Sequence, residues 1–592
     1  MGHKIIAINI SNYKSIISEI FELSDCTPLV GYNNAGKSNI LNAIKWLLRK
    51  SSLGTDVFNN PSNPIIVEGK IAGIDATLLS TINASHRSSI EPYILNDEIR
   101  IKRIQNIPGD SAANIKLFLF NPTAATPDRE WVPNPTGIDN AINALFPEPI
   151  QIGAMENAEE DVSKSKATTT IGKLLGEIIG PIEAQYGANV QSALDGLKNI
   201  LDAEGASRAP ELTQFDTEVN AKIDSFFPDV QIKLHVPTPE LKEVFNKGTI
   251  KIYEPHSTNG RDISSLGHGA QRSIQMALIR HLAEIKRTAQ NHTTTTLLLI
   301  DEPELYLHPQ AIEIVREALK ILSTEGYQVI FTTHSPLMIT HKDVANTILI
   351  RKNQQRGTHK RTTLKSAIPQ IEQDAPSQIQ LLFSLSNSSN ILFSEKVILT
   401  EGVTELRVFP KIFNKIMGTG LGIQKCCIVK QGGVASTKKS MQVLNVMDIP
   451  TKAIVDLDYV FKNAEKDGYI AANDIDILVC KQAMQQLSSS DGVAIGADGW
   501  PENKNSAMSA SKAFALMATN QNITANIVSL HDKLKTNGIW VWKKGSIEDH
   551  LGIVGKNENV WANFCNRLDA DTVENVIIDY PEVIACMNWV IS

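Results

Sequence analysis

Two sets of residues in this 592-residue sequence have types and spacings suited to phosphate chemistry. The first is Gly31-Tyr32-Asn33-Asn34-Ala35-Gly36-Lys37-Ser38, which fits the phosphate-loop pattern GxxxxGK[ST]. In such a loop the glycines let backbone N–H groups curl toward phosphate oxygens, and the following helix adds its positive end. Lys37 is expected to bridge the β- and γ-phosphates of ATP, and Ser38 to ligate the accompanying Mg²⁺. Gly31, Asn34, Gly36 and Asn39 complete that side of the nucleotide-binding set. About 260 residues later the apolar run Leu297-Leu298-Leu299-Ile300 ends in Asp301-Glu302. Asp301 is expected to hold the same ion through water, Glu302 to polarise the attacking water, and His334, in Thr332-Thr333-His334-Ser335-Pro336, to contact the γ-phosphate. A lone histidine is more often structural; His334 gains weight from following the Asp-Glu strand.

The second set is acidic. Thr400-Glu401-Gly402-Val403-Thr404-Glu405 closes one apolar run and Val455-Asp456-Leu457-Asp458 closes another. Asp456 and Asp458 are expected on one face of a strand, and Glu401 and Glu405 about one helical turn apart. Gathered at the carboxyl ends of parallel strands, where such sheets bind ligands, these like charges are costly unless a cation neutralises them. Two Mg²⁺ or Mn²⁺ ions suit oxygen ligands. About 4 Å apart, they would clamp the attacking and leaving oxygens of a phosphodiester. Glu401, Glu405, Asp456 and Asp458 are the expected ligands, with Glu401 and Asp456 also catalytic. In Trp542-Lys543-Lys544-Gly545-Ser546-Ile547-Glu548-Asp549, Glu548 is expected to complete a metal shell and Lys544 to neutralise a pentacovalent phosphate. Taken singly, each acid reads as a helix cap or a solvated surface group.

The elements that must position these residues follow from periodicity. Residues 4–30 alternate as antiparallel strands feeding the phosphate loop. Ile40, Leu41, Ile44, Leu47 and Leu48 then fall on one helical face. β-branched runs between 65 and 120 predict a further sheet. Residues 160–225 carry two helical stripes, Ile171-Leu174-Leu175-Ile178-Ile179 and Val190-Leu194-Leu197-Leu201, punctuated by Gly and Pro. They read as a helical insertion, either a dimerisation element or a subdomain packing within the chain. Strands return over 230–350. Polar residues 353–392 are expected to be the main linker. The buried strands at 397–400 and 453–455, with helix between, predict a second, parallel-sheet domain.

Bulk properties narrow the class. With 42% apolar and 20% charged residues the chain reads as globular, and its length implies several domains. No apolar run approaches a membrane span, and the N-terminus has no signal-peptide core, so a cytoplasmic location without membrane association is expected. Six cysteines form no CxxC pair and read as reduced and buried, not as zinc ligands. A net charge of −7 argues against wholesale coating of nucleic acid, while leaving room for a local basic groove. Three cations within 100–103 form one basic cluster, for which a solvated face is the plainer reading.

These motifs resemble known families. Ser265-Leu266-Gly267-His268-Gly269-Ala270-Gln271-Arg272 resembles the signature loop of ABC-type ATPases, which presents glycine amides to the γ-phosphate held by a second subunit. The resemblance implies nucleotide contacts at Gly267 and Gly269. Where that loop usually reads Leu-Ser-Gly-Gly, this chain lacks the Ser hydroxyl. Asn9 to Ile16 resembles the opening strand of SMC/RecF-type heads, a branch that acts on DNA. Glu401-x-x-x-Glu405 with Asp456-x-Asp458 resembles a TOPRIM domain, and the late Lys544-Gly545-x-x-Glu548 fits the same pattern. An ABC-type head joined to a C-terminal TOPRIM resembles the OLD (overcoming lysogenization defect) nucleases over nearly the whole chain.

The resemblance implies an α/β protein. The ATPase would occupy 1–158 and 241–352, interrupted by a helical dimerisation insertion at 159–240. A linker at 353–392 and a TOPRIM nuclease domain at 393–592 would follow. It also implies an ATP-binding, two-metal DNA endonuclease or nickase, a homodimer or higher oligomer. OLD-like proteins include anti-phage defence effectors, some working with a helicase or with a retron reverse transcriptase and its DNA. Two other classes compete: a non-nucleolytic ATPase clamp on DNA, disfavoured by the intact acids, and primase-like synthesis, disfavoured by the lack of a zinc-ribbon pattern.

Overall fold

A computed structural model describes residues 2–127, 130–135, 137–146, 149–153, 170–227, 229–238, 250–255, 259–288, 295–370, 388–431, 433, 436–502 and 508–592. Contacts divide the chain into two units. One comprises Met1–Leu29, Asn34–Met338 and Lys352–His359, the other Val30–Asn33, Ile339–Arg351 and Lys360–Ser592.

The first unit is built on a mixed sheet. Its antiparallel part runs in the order Trp131–Pro133, Lys116–Phe120, Glu98–Gln105, Ile65–Ala72, Lys4–Tyr13, Ile16–Glu22, Gly357–Lys360. Burial alternates strictly along Ile65–Ala72 and Glu98–Gln105, as expected where only one face is packed. The packed face receives helix Lys37–Leu48, whose Ile40, Leu41, Ile44, Leu47 and Leu48 are all buried. Leu47 lies so close to Gly69 that a Cβ there would come within 2.6 Å of it. The parallel part joins Tyr327–Thr333, Thr296–Ile300 and Ile150–Ile152. Thr296–Ile300 and Tyr327–Thr333 are buried at every residue, the pattern of strands covered on both faces. Gln328 ties the two parts together, bonding both the N–H and the carbonyl of Ile5 at 3.0 and 2.7 Å.

Within the span expected to be a helical insertion run helices Thr170–Leu201 and Pro210–Ile223. The side chains of the stripe Ile171 to Ile179 lie outside the described residues. In the second stripe Leu197 is 48% exposed, so that stripe does not close a core within the described chain. Residues 353–370, expected to open the linker, instead include strand Gly357–Lys360 and helix Leu364–Ala367. Their polar composition has a structural cause: Thr358 is fully buried and donates to the Ala35 carbonyl in the phosphate loop at 2.8 Å. Residues 371–387 of that span lie outside the described residues.

The second unit carries a four-stranded, all-parallel sheet in the order Cys426–Lys430, Lys396–Thr400, Thr451–Val455, Ile539–Val541. Helices Val403–Met417 and Tyr580–Ile591 pack Phe409, Phe413 and Val583 with Trp540 and Trp542 into its core. The six cysteines are unbonded thiols. Burial pushes Cys426 and Cys480 up to about 12, so they stay protonated and inert.

Candidate functional site

The phosphate loop enters helix Lys37–Leu48 through Gly36, which has φ 97° and caps the helix. A Cβ at Gly36 would meet Thr358 Oγ1 at 2.2 Å and Ser15 Oγ at 2.8 Å. Both conformation and space therefore demand glycine here. Asn34 is also left-handed, at φ 65°. Lys37 is 5% exposed and its Nζ lies 2.7 Å from His334 Nε2. The same nitrogen lies 3.2 Å from Glu302 Oε1, so His334 either accepts from Lys37 or donates to Glu302. The hydrogen bond from His334 holds the Glu302 carboxyl below its ordinary range, overcoming burial. Ser38 Oγ donates to Asp301 Oδ2 at 2.7 Å, bringing together the two residues expected at the nucleotide's cation.

Strand Thr296–Ile300 ends directly at this pair, and the Thr332 hydroxyl fixes the turn by bonding the Glu302 N–H at 3.0 Å. Glu302 sits at φ 48°, a strained conformation for this residue type. Arg272 holds that turn from the other side, donating to the carbonyls of Asp301 and Glu302 at 3.1 Å each. The motif pattern alone assigns Arg272 no role. Its place one turn into the helix after the Gly-rich loop was the available signal. Gly269 packs tightly, since a Cβ would come within 2.8 Å of the Tyr306 carbonyl, whereas Gly267 has open space around it. Asn39 donates its amide to Ser15 Oγ at 2.8 Å and so braces the loop.

In the second unit the acids follow the strand ends as expected. Glu401 comes directly after Lys396–Thr400 and Asp456 directly after Thr451–Val455. The Asp456 N–H reaches Glu401 Oε2 at 3.4 Å. Asp456 and Asp458 do not alternate along a strand, as their spacing suggested. The strand stops at Val455 and Asp458 opens helix Asp458–Lys462, so the two acids meet through a strand-to-helix turn. Glu405 lies in the first turn of Val403–Met417 and is 1% exposed. Gly402 makes room for it: a Cβ there would fall 2.5 Å from Glu405 Oε2. Glu548 arrives on helix Ile547–Leu551, held by a bond from Thr404 Oγ1 at 2.5 Å.

Burial and mutual repulsion act on these acids together. Burial, then the charge of Asp458, pushes Glu401 up to about 7. Burial, with Glu548 adding, pushes Glu405 up to about 7. Asp456 is raised well above its ordinary value by burial and by Glu405 and Glu401. Asp458 is raised by burial, with Lys462 and Lys556 opposing. Burial also acts upward on Glu548, but the Thr404 hydroxyl and the Lys556 ammonium outweigh it and hold that acid low. Among the described residues, no group of three or more His, Cys, Asp or Glu side chains is already posed around one point as an ion cage. The donor set nevertheless fits hard divalent cations. It is all oxygen, and Glu405 Oε2, Asp458 Oδ1 and Glu548 Oε2 are buried without a hydrogen-bond partner among the described residues.

Two lysines differ in placement. Lys544 Nζ pairs with Asp579 at 2.7 Å, and Asp579 also takes His550 Nδ1 at 2.8 Å. The loop carrying Lys544 meets the turn between Asp456 and Asp458 through its backbone, the Gly545 carbonyl accepting from Leu457 N at 2.7 Å. Lys556 is the lysine whose ammonium faces the acids, 3.2 Å from Glu548 Oε1. No spacing pattern around Gly555-Lys556-Asn557 announces it.

Comparison with known proteins matches two segments of the chain. A family model described as "AAA domain, putative AbiEii toxin, Type IV TA system" matches residues 26–340. One described as "Overcoming lysogenization defect protein-like, TOPRIM domain" matches residues 392–458. The Old nuclease of Escherichia phage P2 is 38% identical over 599 aligned positions, covering 100% of both chains. The chain belongs to the OLD nuclease family. The OLD nuclease of Thermus scotoductus is 24% identical, covering 76% of this chain and 81% of that one. Endonuclease GajA of Bacillus cereus is 24% identical, covering 69% and 67%. This OLD-family chain is thus a hydrolase of two kinds, an ATPase and a nuclease, using a nucleotide and a divalent metal. Among the described residues no helix is long and apolar enough to cross a membrane.

Proposed function

We propose that the protein is an ATP-hydrolysing, metal-dependent DNA endonuclease that nicks phosphodiester bonds at the acid cluster. The reading rests on one observation: at adjacent strand ends the Asp456 N–H reaches Glu401 Oε2, while Glu405 Oε2, Asp458 Oδ1 and Glu548 Oε2 are buried with no hydrogen-bond partner among the described residues. Glu401, Glu405, Asp456, Asp458 and Glu548 would hold two Mg²⁺ or Mn²⁺ ions. Bound there, such ions supply Lewis acidity at the attacking and leaving oxygens of the phosphodiester.

The chain's own residues do the rest. Thr404 orients Glu548, and Gly402 gives Glu405 its space. Lys556 brings a positive charge against the acids, where it can meet a non-bridging phosphate oxygen; Lys544 approaches from the neighbouring loop. In the nucleotide site Glu302, kept ionised, is suited to orient water, and Lys37 to hold phosphate. The exposed Leu197, Phe226 and Phe227 of the insertion support a homodimer through that element. The family resemblance extends the proposal to a cytoplasmic role in bacterial anti-phage defence, with a retron reverse transcriptase and its DNA, or a helicase, as partner.

The test is plasmid DNA incubated with the purified protein and Mg²⁺ or Mn²⁺, with and without ATP. Nicked circles from the wild type and none from Asp456→Ala support the reading. Equal nicking by both rejects the acid cluster as the cleavage site, and no nicking by either leaves the ATPase clamp.

A further inference from the structure

The basic cluster at 100–103 is not explained by either site, and the structure splits it in two. Arg103 points inward, 1% exposed, donating to the Leu47 carbonyl at 2.8 Å and pairing with Asp139 at 3.1 Å. Arg100 and Lys102 point outward on the same strand, away from the face that packs helix Lys37–Leu48. Strand register lines them up with aromatic rings. Lys102 pairs across strands with Phe118, and Phe120 pairs with Trp131 at the sheet edge. The Lys102 ammonium sits 3.9 Å from the centre of the Trp131 ring, and the Arg100 guanidinium 4.4 Å from that of Phe120.

The rings hold the cations against the sheet in fixed positions. Ordering two long, flexible side chains in advance lowers the entropic cost of gripping an anion. Across the three strands the outward charged positions are Lys70, Arg100, Lys102 and Lys116 against Glu68 and Glu98. Lys70 and Arg100 are paired with Glu98 and Glu68, which leaves a positive excess at Lys102 and Lys116. Burial lowers the Lys102 ammonium from its ordinary value although Glu68 opposes this, so an arriving anion would stabilise its charge.

We propose that this outer sheet face, Arg100, Lys102 and Lys116 with Phe118, Phe120 and Trp131, is a docking surface for the nucleic-acid backbone, separate from the cleavage site. The occupant follows from charge complementarity. In a chain of net charge −7 a fixed row of cations on aromatic supports suits a polyanion, and a nuclease has one as its substrate. The contacts are to phosphates, so binding here is independent of sequence. This inference rests on the nuclease reading for the identity of the polyanion.

The test uses full-length protein in EDTA and a fluorescently labelled duplex DNA, with affinity measured by anisotropy across a salt series. Lys102→Gln/Lys116→Gln is expected to bind about tenfold more weakly, with a salt slope shallower by about two. Trp131→Ala, which removes the support but no charge, is expected to weaken binding by less. Both variants should hydrolyse ATP and cleave saturating DNA at wild-type rates, which also reports correct folding. Lys116→Gln alone, at an exposed position, serves if the double variant does not fold. Unchanged affinity and slope in the charge variants overturn the proposal. So does unchanged DNA affinity with a changed oligomeric mass, which would assign the face to a protein contact. Asp456→Ala separates the two readings: if it still cleaves, the assignment of cleavage to the acid cluster fails whatever the sheet face does.

Discussion

The two candidate sites handle charge in opposite ways. At the phosphate loop, His334 Nε2 lies between Lys37 and Glu302, within reach of both, and Arg272 and Thr332 hold the turn that carries Glu302. At the strand ends of the second unit, Glu401, Glu405 and Asp456 stand together with their ionisation suppressed, and Lys556 is the main cation opposing them. The first site is organised to receive an anion that brings its own cation. The second is strained until positive charge arrives. Stability and function should therefore pull in the same direction at the loop and against each other at the acids.

The largest effect expected from breaking this contrast is at the acids. Asp456→Ala should lower DNA nicking by at least about a thousandfold while ATP turnover stays near wild type. Parallel loss of both activities would show that the two sites do not act as separate centres. Next is Gly36→Ala, which forces an L-residue to φ 97° against Thr358 and Ser15. Strain of about 1–3 kcal/mol is expected, with nucleotide binding lost by calorimetry; normal ATP affinity would mean the loop relaxes freely.

A third test sharpens the contrast through stability. Each Mg²⁺ or Mn²⁺ bound at the acids, at a hundred times its dissociation constant, should stabilise the wild type by about 2.7 kcal/mol. Glu405→Gln, by removing one buried like charge, should melt higher than wild type in EDTA and gain less from the metal. Scanning fluorimetry checks both signs, and a lower melting point in EDTA would contradict the charge argument. The smallest effect is Arg272→Lys, which keeps the charge but loses the fork that spans two carbonyls. ATP turnover should fall by about tenfold, or about 1.4 kcal/mol, with no change in melting under EDTA beyond about 1 kcal/mol.

What could be read from the sequence follows the range of the interactions. Lys37, Ser38, Glu401 and Glu405 sit at strand–helix junctions, where local periodicity and motif spacing place them. Asp456 and Asp458 were placed at the correct strand end but in the wrong local form, because spacing alone does not distinguish a continuing strand from a turn entering a helix. The Asn39 amide reaches Ser15, 24 positions earlier, a contact that no local spacing announces. Lys556 was invisible because a cation in a surface loop has no pattern, and only folding sets it beside Glu548. The polar stretch after 353 reads as a linker until Thr358 is seen completing the phosphate loop from over 300 residues away.

That last connection bears on how the protein is made. Strand Ile16–Glu22 pairs with Lys4–Tyr13 on one side and meets its other neighbour only at Gly357. At translation speeds of about 5–20 residues per second the ribosome leaves that edge uncovered for tens of seconds. The four-stranded sheet, drawn from one contiguous stretch, faces no such delay. A nascent chain halted before residue 357 would therefore carry an open strand edge prone to pairing with other chains, and chaperone demand during synthesis should fall on the ATPase portion.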